Sequence, residues 1–122
     1  MANCVFCNSK HERIAENEVA IAIFDAFPVN PGHALIIPKR HVADFFELSE
    51  SERNACFALV AEVKSILDSM HKPDGYNVGV NVGKAAGQTV FHVHIHLIPR
   101  YAGDVSSPRG GVRGVIPSKQ SY

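Results

Sequence analysis

Phe91-His92-Val93-His94-Ile95-His96-Leu97-Ile98-Pro99 is the stretch from which the rest of the chain is read. In an extended strand successive side chains point to opposite faces, so His92, His94 and His96 share one face and Val93, Ile95 and Leu97 the other. An ordinary half-buried strand would satisfy the same alternation, but its wet side would more often carry Thr, Lys and Glu. Imidazoles stacked at this period suit a metal site or phosphoryl chemistry, where neutral imidazole acts as ligand or nucleophile. The stretch therefore predicts one wall of a site backed by a hydrophobic core.

Upstream of it, Gly83-Lys84-Ala85-Ala86-Gly87-Gln88-Thr89 is a loop of mostly small residues. It lacks the spacing of a P-loop, yet the backbone amides of Gly87, Gln88, Thr89 and Val90 could form a phosphate nest. Residues 76–82 alternate, with Tyr76, Val78, Val80 and Val82 on one side and Asn77, Gly79 and Asn81 on the other. That pattern predicts a strand with one open face, where Asn81 offers an amide beside the imidazoles.

Residues 19–24 form an unbroken apolar run too short for a globular helix and read as a central strand ended by Asp25. Asp25 either caps the Pro/Gly-rich turn that follows or bonds ribose hydroxyls. A second strand follows over residues 33–38, a short strand is predicted at 13–15, and residues 8–18 otherwise read as polar turn or loop. Residues 42–48 read as a short helical turn or loop carrying Phe45 and Phe46 into the core. Ser49 with Glu52 makes a capping box. Beyond it Cys56, Leu59, Val63, Ile66, Leu67 and Met70 recur at helical spacing, predicting one long amphipathic helix stopped by Pro73 and Gly75.

Cys4-Val5-Phe6-Cys7 spaces two thiols for one tetrahedral ion, and needs two further ligands; a redox pair is the competing reading. Cys56 belongs to the helix's apolar stripe and reads as core. The count of three cysteines argues against a disulfide framework. With 122 residues the chain is expected to be one domain over residues 1–104, followed by a Gly/Pro/Arg-containing surface arm over 105–122. Twelve basic and twelve acidic residues cancel, so neither nucleic acid nor an anionic membrane is an expected partner. No apolar run approaches membrane-spanning length and the start carries no secretory pattern, so a cytoplasmic protein is expected.

Gly87-Gln88-Thr89 ahead of the His-x-His-x-His run, together with Pro31-Gly32-His33, resembles the histidine triad family of nucleotide-binding hydrolases and transferases. Leu97-Ile98-Pro99-Arg100 and Ala102-Gly103-Asp104 are most similar to its diadenosine polyphosphate hydrolase branch. The resemblance implies an α+β fold with a mainly antiparallel sheet of about five strands, a long helix and a short one. It further implies a homodimer. Carried onto this chain, it makes His94 the nucleophile on an α-phosphorus, with His96 and Gln88 or Thr89 contacting the α-phosphate and the bridging oxygen. Asn81 and the backbone of Gly87, Gln88, Thr89 and Val90 match phosphate contacts, Asp25 the ribose-binding acid and His33 a supporting histidine. Members with an amino-terminal Cys pair hold a structural zinc ion, which places Cys4, Cys7, His41 and His92 as its ligands. The activity implied is hydrolysis of dinucleoside polyphosphates or related conjugates through a nucleotidyl-histidine intermediate. A nucleoside phosphoramidase, or a nucleotide-binding interaction protein with incidental turnover, are the alternatives. The chain contains no tryptophan, which departs from the phosphoramidase branch's carboxy-terminal segment.

Overall fold

A computed structural model describes residues 3–8 and 10–122 of the chain; residues 1 and 2 of the expected domain and Ser9 of the expected turn lie outside the described residues. A helical turn, α1 (Val5–Asn8), precedes a hairpin of β1 (Arg13–Glu16) and β2 (Ala20–Phe24). Then come β3 (Ala34–Pro38), α2 (Glu50–His71), β4 (Gly75–Val80) and β5 (Ile95–Arg100). The sheet has the order β1-β2-β3-β5-β4, and every neighbouring pair is antiparallel. This is the expected α+β fold.

Strand β2 shows how sequence sets the two layers. Ala20 and Ala22 face the helix, while Ile21 and Ile23 face the opposite side. Small residues under α2 let helix and sheet approach closely, and Cys56, Leu59, Val60, Val63 and Leu67 fill the space between. Fully burying each leucine or valine contributes roughly 1.5–3 kcal/mol. On the far side Ile21, Ile23, Leu35 and Ile37 form a second cluster, and only Phe6 of α1 packs on it from outside the sheet among the described residues.

The capping box is present: Ser49 Oγ accepts from the Glu52 amide at 3.1 Å, and the Ser49 amide donates to Glu52 at 2.8 Å. At the other end Lys72, just ahead of Pro73, adopts a left-handed conformation and closes α2. Three readings need correction. Met70 is 55% exposed because it falls on the last turn, beyond the edge of the sheet, and Phe46 is 74% exposed because the short 3-10 turn Phe45–Glu47 points only Phe45 inward. Regular pairing of the histidine run begins only at Ile95, since β3 partners β5 from Ile36 to Ala34 alone. His92 and His94 precede it, with the Val93 amide bonded to the Val42 carbonyl at 2.8 Å.

Between β2 and β3 the chain turns through Gly32 at φ +89°, and the turn is fastened to the exit of β5. Tyr101 donates to the Pro31 carbonyl at 2.6 Å, and Asn30 donates to the Pro99 carbonyl and to Asp104. Arg100 grips Asp104 through two bonds of 2.8 Å and holds that carboxyl well below its ordinary range. Past Asp104 the arm coils into two 3-10 turns, Gly111–Val115 and Pro117–Lys119, closed on itself by Arg109 and Arg113 against the Tyr122 ring. It returns to the β4 side of the sheet, where Gly111 approaches the Asn77 side chain.

A side chain at position 32 would enter a left-handed backbone and approach His71 Cδ2 at 2.9 Å and Pro99 Cγ at 3.2 Å. Gly32→Ala is expected to cost about 1–2 kcal/mol in chemical denaturation. Gly79→Ala, with nothing within 4 Å of the added carbon, should change stability by less than about 0.5 kcal/mol.

Candidate functional site

The protons on the histidine rings can be assigned from their partners, because a carbonyl only accepts and an amide only donates. His94 Nδ1 lies 2.9 Å from the His92 carbonyl and so carries the proton, which leaves Nε2 with a free lone pair. The Val29 amide donates to His33 Nδ1 at 3.0 Å, so His33 holds its proton on Nε2. That proton faces His96 Nδ1 at 3.0 Å, with Asp25 Oδ2 at 3.5 Å from the same nitrogen. His96 Nδ1 therefore accepts, and its Nε2–H is a donor. One backbone amide in the loop after β2 thus sets the tautomer of a ring on β5.

Burial enforces neutrality. It pushes the His96 pKa down to about 4, reinforced by the neighbouring His94 and His33, and it lowers His33 as well, against the pull of Asp25. His94 and His96 stand with ring centroids 5.2 Å apart on the floor of a cavity of about 430 Å³. Asp25, Asn81, Gly87, Thr89 and Val90 also line it. Asp25 caps the turn, its Oδ1 accepting from the Phe27 amide at 2.9 Å, and the residue also borders the cavity.

Gln88 differs from its expected place. It is 4% exposed, accepts from the Gly83 amide, and donates to the Ala43 and Val90 carbonyls, so its side chain is spent within the protein. The physical reason is the loop itself: with positive φ at Gly83 and Gly87, its carbonyls and amides turn inward and need a partner. Gln88 staples the loop that presents Gly87, Thr89 and Val90 to the cavity.

The other side of the cavity is apolar and was not singled out from the sequence: Phe6, Ile23, Phe24, Phe27 and Leu35, with His11 at the rim. These residues come from three separated segments. The signal available in the sequence was that β2 and β3 are apolar on both faces while the chain offers one long helix to cover only one of them.

His92 points away from His94 toward the amino terminus. Its Nε2–H donates to the Pro38 carbonyl at 2.7 Å, which frees Nδ1, and that atom lies 3.3 Å from Cys4 Sγ and 3.5 Å from Cys7 Sγ. His41 Nδ1 completes the group at 3.2 Å from Cys7 Sγ, and all four donor atoms lie within 4.8 Å of one another. Two thiols and two imidazole nitrogens at such separations suit tetrahedral zinc, and the carbonyl behind His92 is the second support such ligands require. The donor set fits the ion.

A model described as "HIT domain" matches residues 7–103. Adenosine 5'-monophosphoramidase of Schizosaccharomyces pombe is 37% identical over 103 residues, covering 80% of this chain and 74% of the relative. AP-4-A phosphorylase of Mycobacterium tuberculosis is 31% identical over 94 residues, covering 76% of this chain but only 48% of the longer relative. Among solved structures, a zinc-bound histidine triad family protein from Mycobacterium smegmatis superposes with a TM-score of 0.78 at 36% identity, covering 87% of this chain and 81% of that one.

Because His33, His92 and His96 all have folded pKa values below the ordinary 6.5, the unfolded chain takes up protons that the folded rings refuse. Stability is then complete above about pH 6.5 and is lost as pH falls toward 4. Denaturation midpoints between pH 7 and pH 4.5 should drop less steeply for His96→Asn than for the wild type. Equal slopes would remove His96 from the acid loss.

Proposed function

Since the chain belongs to the HIT domain family, we propose that it hydrolyses dinucleoside polyphosphates or related nucleoside phosphate conjugates at the α-phosphorus, through a nucleotidyl intermediate on His94. The observation that carries this reading is the pair of tautomers: a lone pair on His94 Nε2 and a donor on His96 Nε2, side by side in one cavity. His94 Nε2 forms a bond to phosphorus as the bond to the bridging oxygen breaks, and the leaving phosphate takes both electrons. Such a group departs as an anion and needs a hydrogen bond rather than a full proton, which a neutral His96 provides. The expected four-amide nest is reduced to two, because the Gly87 amide already donates to the Lys84 carbonyl at 3.0 Å and the Gln88 amide to the Gly83 carbonyl at 3.1 Å. The amides of Thr89 and Val90, with Asn81, supply donors for charge on the phosphoryl oxygens.

The intermediate is an imidazolium whose Nδ1–H still rests on the His92 carbonyl. The positively charged nucleotidyl-imidazole readily expels neutral imidazole: water attacks phosphorus, the N–P bond breaks with its electron pair returning to Nε2, the water's spare proton passes to solvent, and the nucleoside monophosphate is released. His33 acts as a positioning residue through His96, and Asp25 holds the ribose. Gln88 acts through its loop. The catalytic domain comprises residues 1–104, with 105–122 as a carboxy-terminal arm.

Phosphoramidate cleavage is the second reading, favoured by the likeness to the Schizosaccharomyces pombe enzyme. An amine leaves only when protonated, a demand that the low His96 pKa opposes. Intact-protein mass spectrometry after a brief quench should show a transient gain of one nucleoside monophosphate with diadenosine polyphosphates, absent in His94→Ala. Faster adduct formation from phosphoramidates would shift the assignment to the second reading. Absence of any adduct alongside tight nucleotide binding would leave an interaction protein.

Cys4, Cys7, His41 and His92 hold zinc in the same reading. Four protein ligands leave no coordination position for substrate, so the ion is structural. Thiolate ligands suit a reducing compartment, in keeping with the cytoplasm. Strand β4 lies at the sheet's edge, where a second copy would extend the sheet into a homodimer. Native mass spectrometry of the reduced protein should find a dimer with about two zinc ions. A metal-free native species would overturn the zinc assignment, and a monomer the dimer.

A further inference from the structure

Phe6 lies within the Cys4-Val5-Phe6-Cys7 segment of the sequence and also borders the cavity that holds His94. Its ring stands edge-on to His92 at 5.8 Å between centroids and lies tilted across His94 at 5.2 Å. On its other side it closes the cluster of Ile21, Ile23, Leu35 and Ile37. It is the one aromatic side chain among those described that meets the ring of a metal-ligand histidine, the ring of the nucleophilic histidine, and the apolar cluster behind the cavity.

The segment that carries it has little hold of its own. Helix α1 is four residues long, closed by the Asn8 amide on the Cys4 carbonyl at 3.1 Å, and a single turn of helix is not stable in water without outside support. Its ties to the domain include the Cys4 and Cys7 contacts with His92, the Cys7 contact with His41, and the packing of Phe6. Both neighbours of the Val5-Phe6 dipeptide are therefore anchored by the same four-residue donor set. With an ion in place two strong bonds to sulfur fix the turn; without one, weak thiol–imidazole contacts must do so.

We infer that Phe6 is a wall of the nucleoside pocket whose position is set by zinc at Cys4, Cys7, His41 and His92, so that occupancy of the metal site governs affinity for the nucleoside monophosphate portion of the substrate. The inference rests on the nucleotide reading above. The ring contributes in two ways. It offers an aromatic surface to the nucleoside, and it covers one side of His94 so that water is excluded and the ring keeps its orientation. The zinc remains outside the reaction and acts only through the side chain between its ligands.

Calorimetric titration of the full chain with AMP tests this in four states: zinc-loaded and chelated, each for wild type and Phe6→Ala. Chelation of the wild type should weaken AMP binding about tenfold, reversed by added zinc, and Phe6→Ala with zinc bound should lose a similar factor. Chelating Phe6→Ala should then add little, because the wall is already gone. Phe6→Leu should fall between, and it keeps the cluster of Ile21, Ile23, Leu35 and Ile37 covered if the alanine variant does not fold. As the chain has no tryptophan, Phe6→Trp places a lone fluorophore at the wall, whose emission should shift both with AMP and on chelation. Wild-type affinity unchanged by chelation, an equal chelation loss in Phe6→Ala, or emission blind to AMP would each overturn the inference while leaving the nucleotide reading intact. Failure of the zinc-loaded wild type to bind AMP would instead overturn that reading, and the inference with it.

Discussion

The bond from His92 Nε2 to the Pro38 carbonyl, 2.7 Å long and fully buried, is the constraint on which the rest depends. It uses the last carbonyl of β3 to orient a ring just ahead of β5. Once that ring is held, its Nδ1 faces the thiols of Cys4 and Cys7, and its own backbone carbonyl receives the proton of His94. Structural and reactive histidines are thus coupled through one residue. Rotating the ring would free a buried donor, at a cost of about 1–3 kcal/mol, and turn a ligand away from the thiols.

A second chain of bonds performs the matching task for His96. It runs from the Val29 amide through His33, and the turn that carries both is tied down by Tyr101, Asn30 and the Arg100–Asp104 pair. Arg100 and Asp104 satisfy each other outside the cavity, whereas burial keeps the His33 and His96 rings neutral against the pull of Asp25, whose Oδ2 lies 3.5 Å from His33 Nε2. Neutral imidazoles of this kind are suited to a ligand that brings its own negative charge.

Local sequence carried the layers and the ends of elements well. The unbroken apolar run that became β2, the Ser49–Glu52 box and the period of α2 each depend on residues a few positions apart, and the structure agrees with them. Met70 and Phe46 show the limit. Both are apolar at positions that a periodic pattern would bury, but burial also requires a surface opposite, and neither the last turn of α2 nor the outer side of the short 3-10 turn has one. Gln88 was legible as a loop residue of importance, while its partners Ala43 and Gly83 were not, since hydrogen bonds to backbone carry no mark in the sequence.

By itself the sequence determined which residues could do chemistry: histidines at a period of two, a Cys pair at ligand spacing, an acid and an amide at strand ends. These are properties of residue type and short-range spacing. Only the tertiary structure decided which nitrogen of each ring carries the proton, that His92 parts company with His94 and His96, and that Phe6 lies against both sites. Those outcomes are set by carbonyls, amides and rings brought together from positions such as 6, 29, 38 and 94, far apart along the chain, and contact between distant segments exists only once the core has closed.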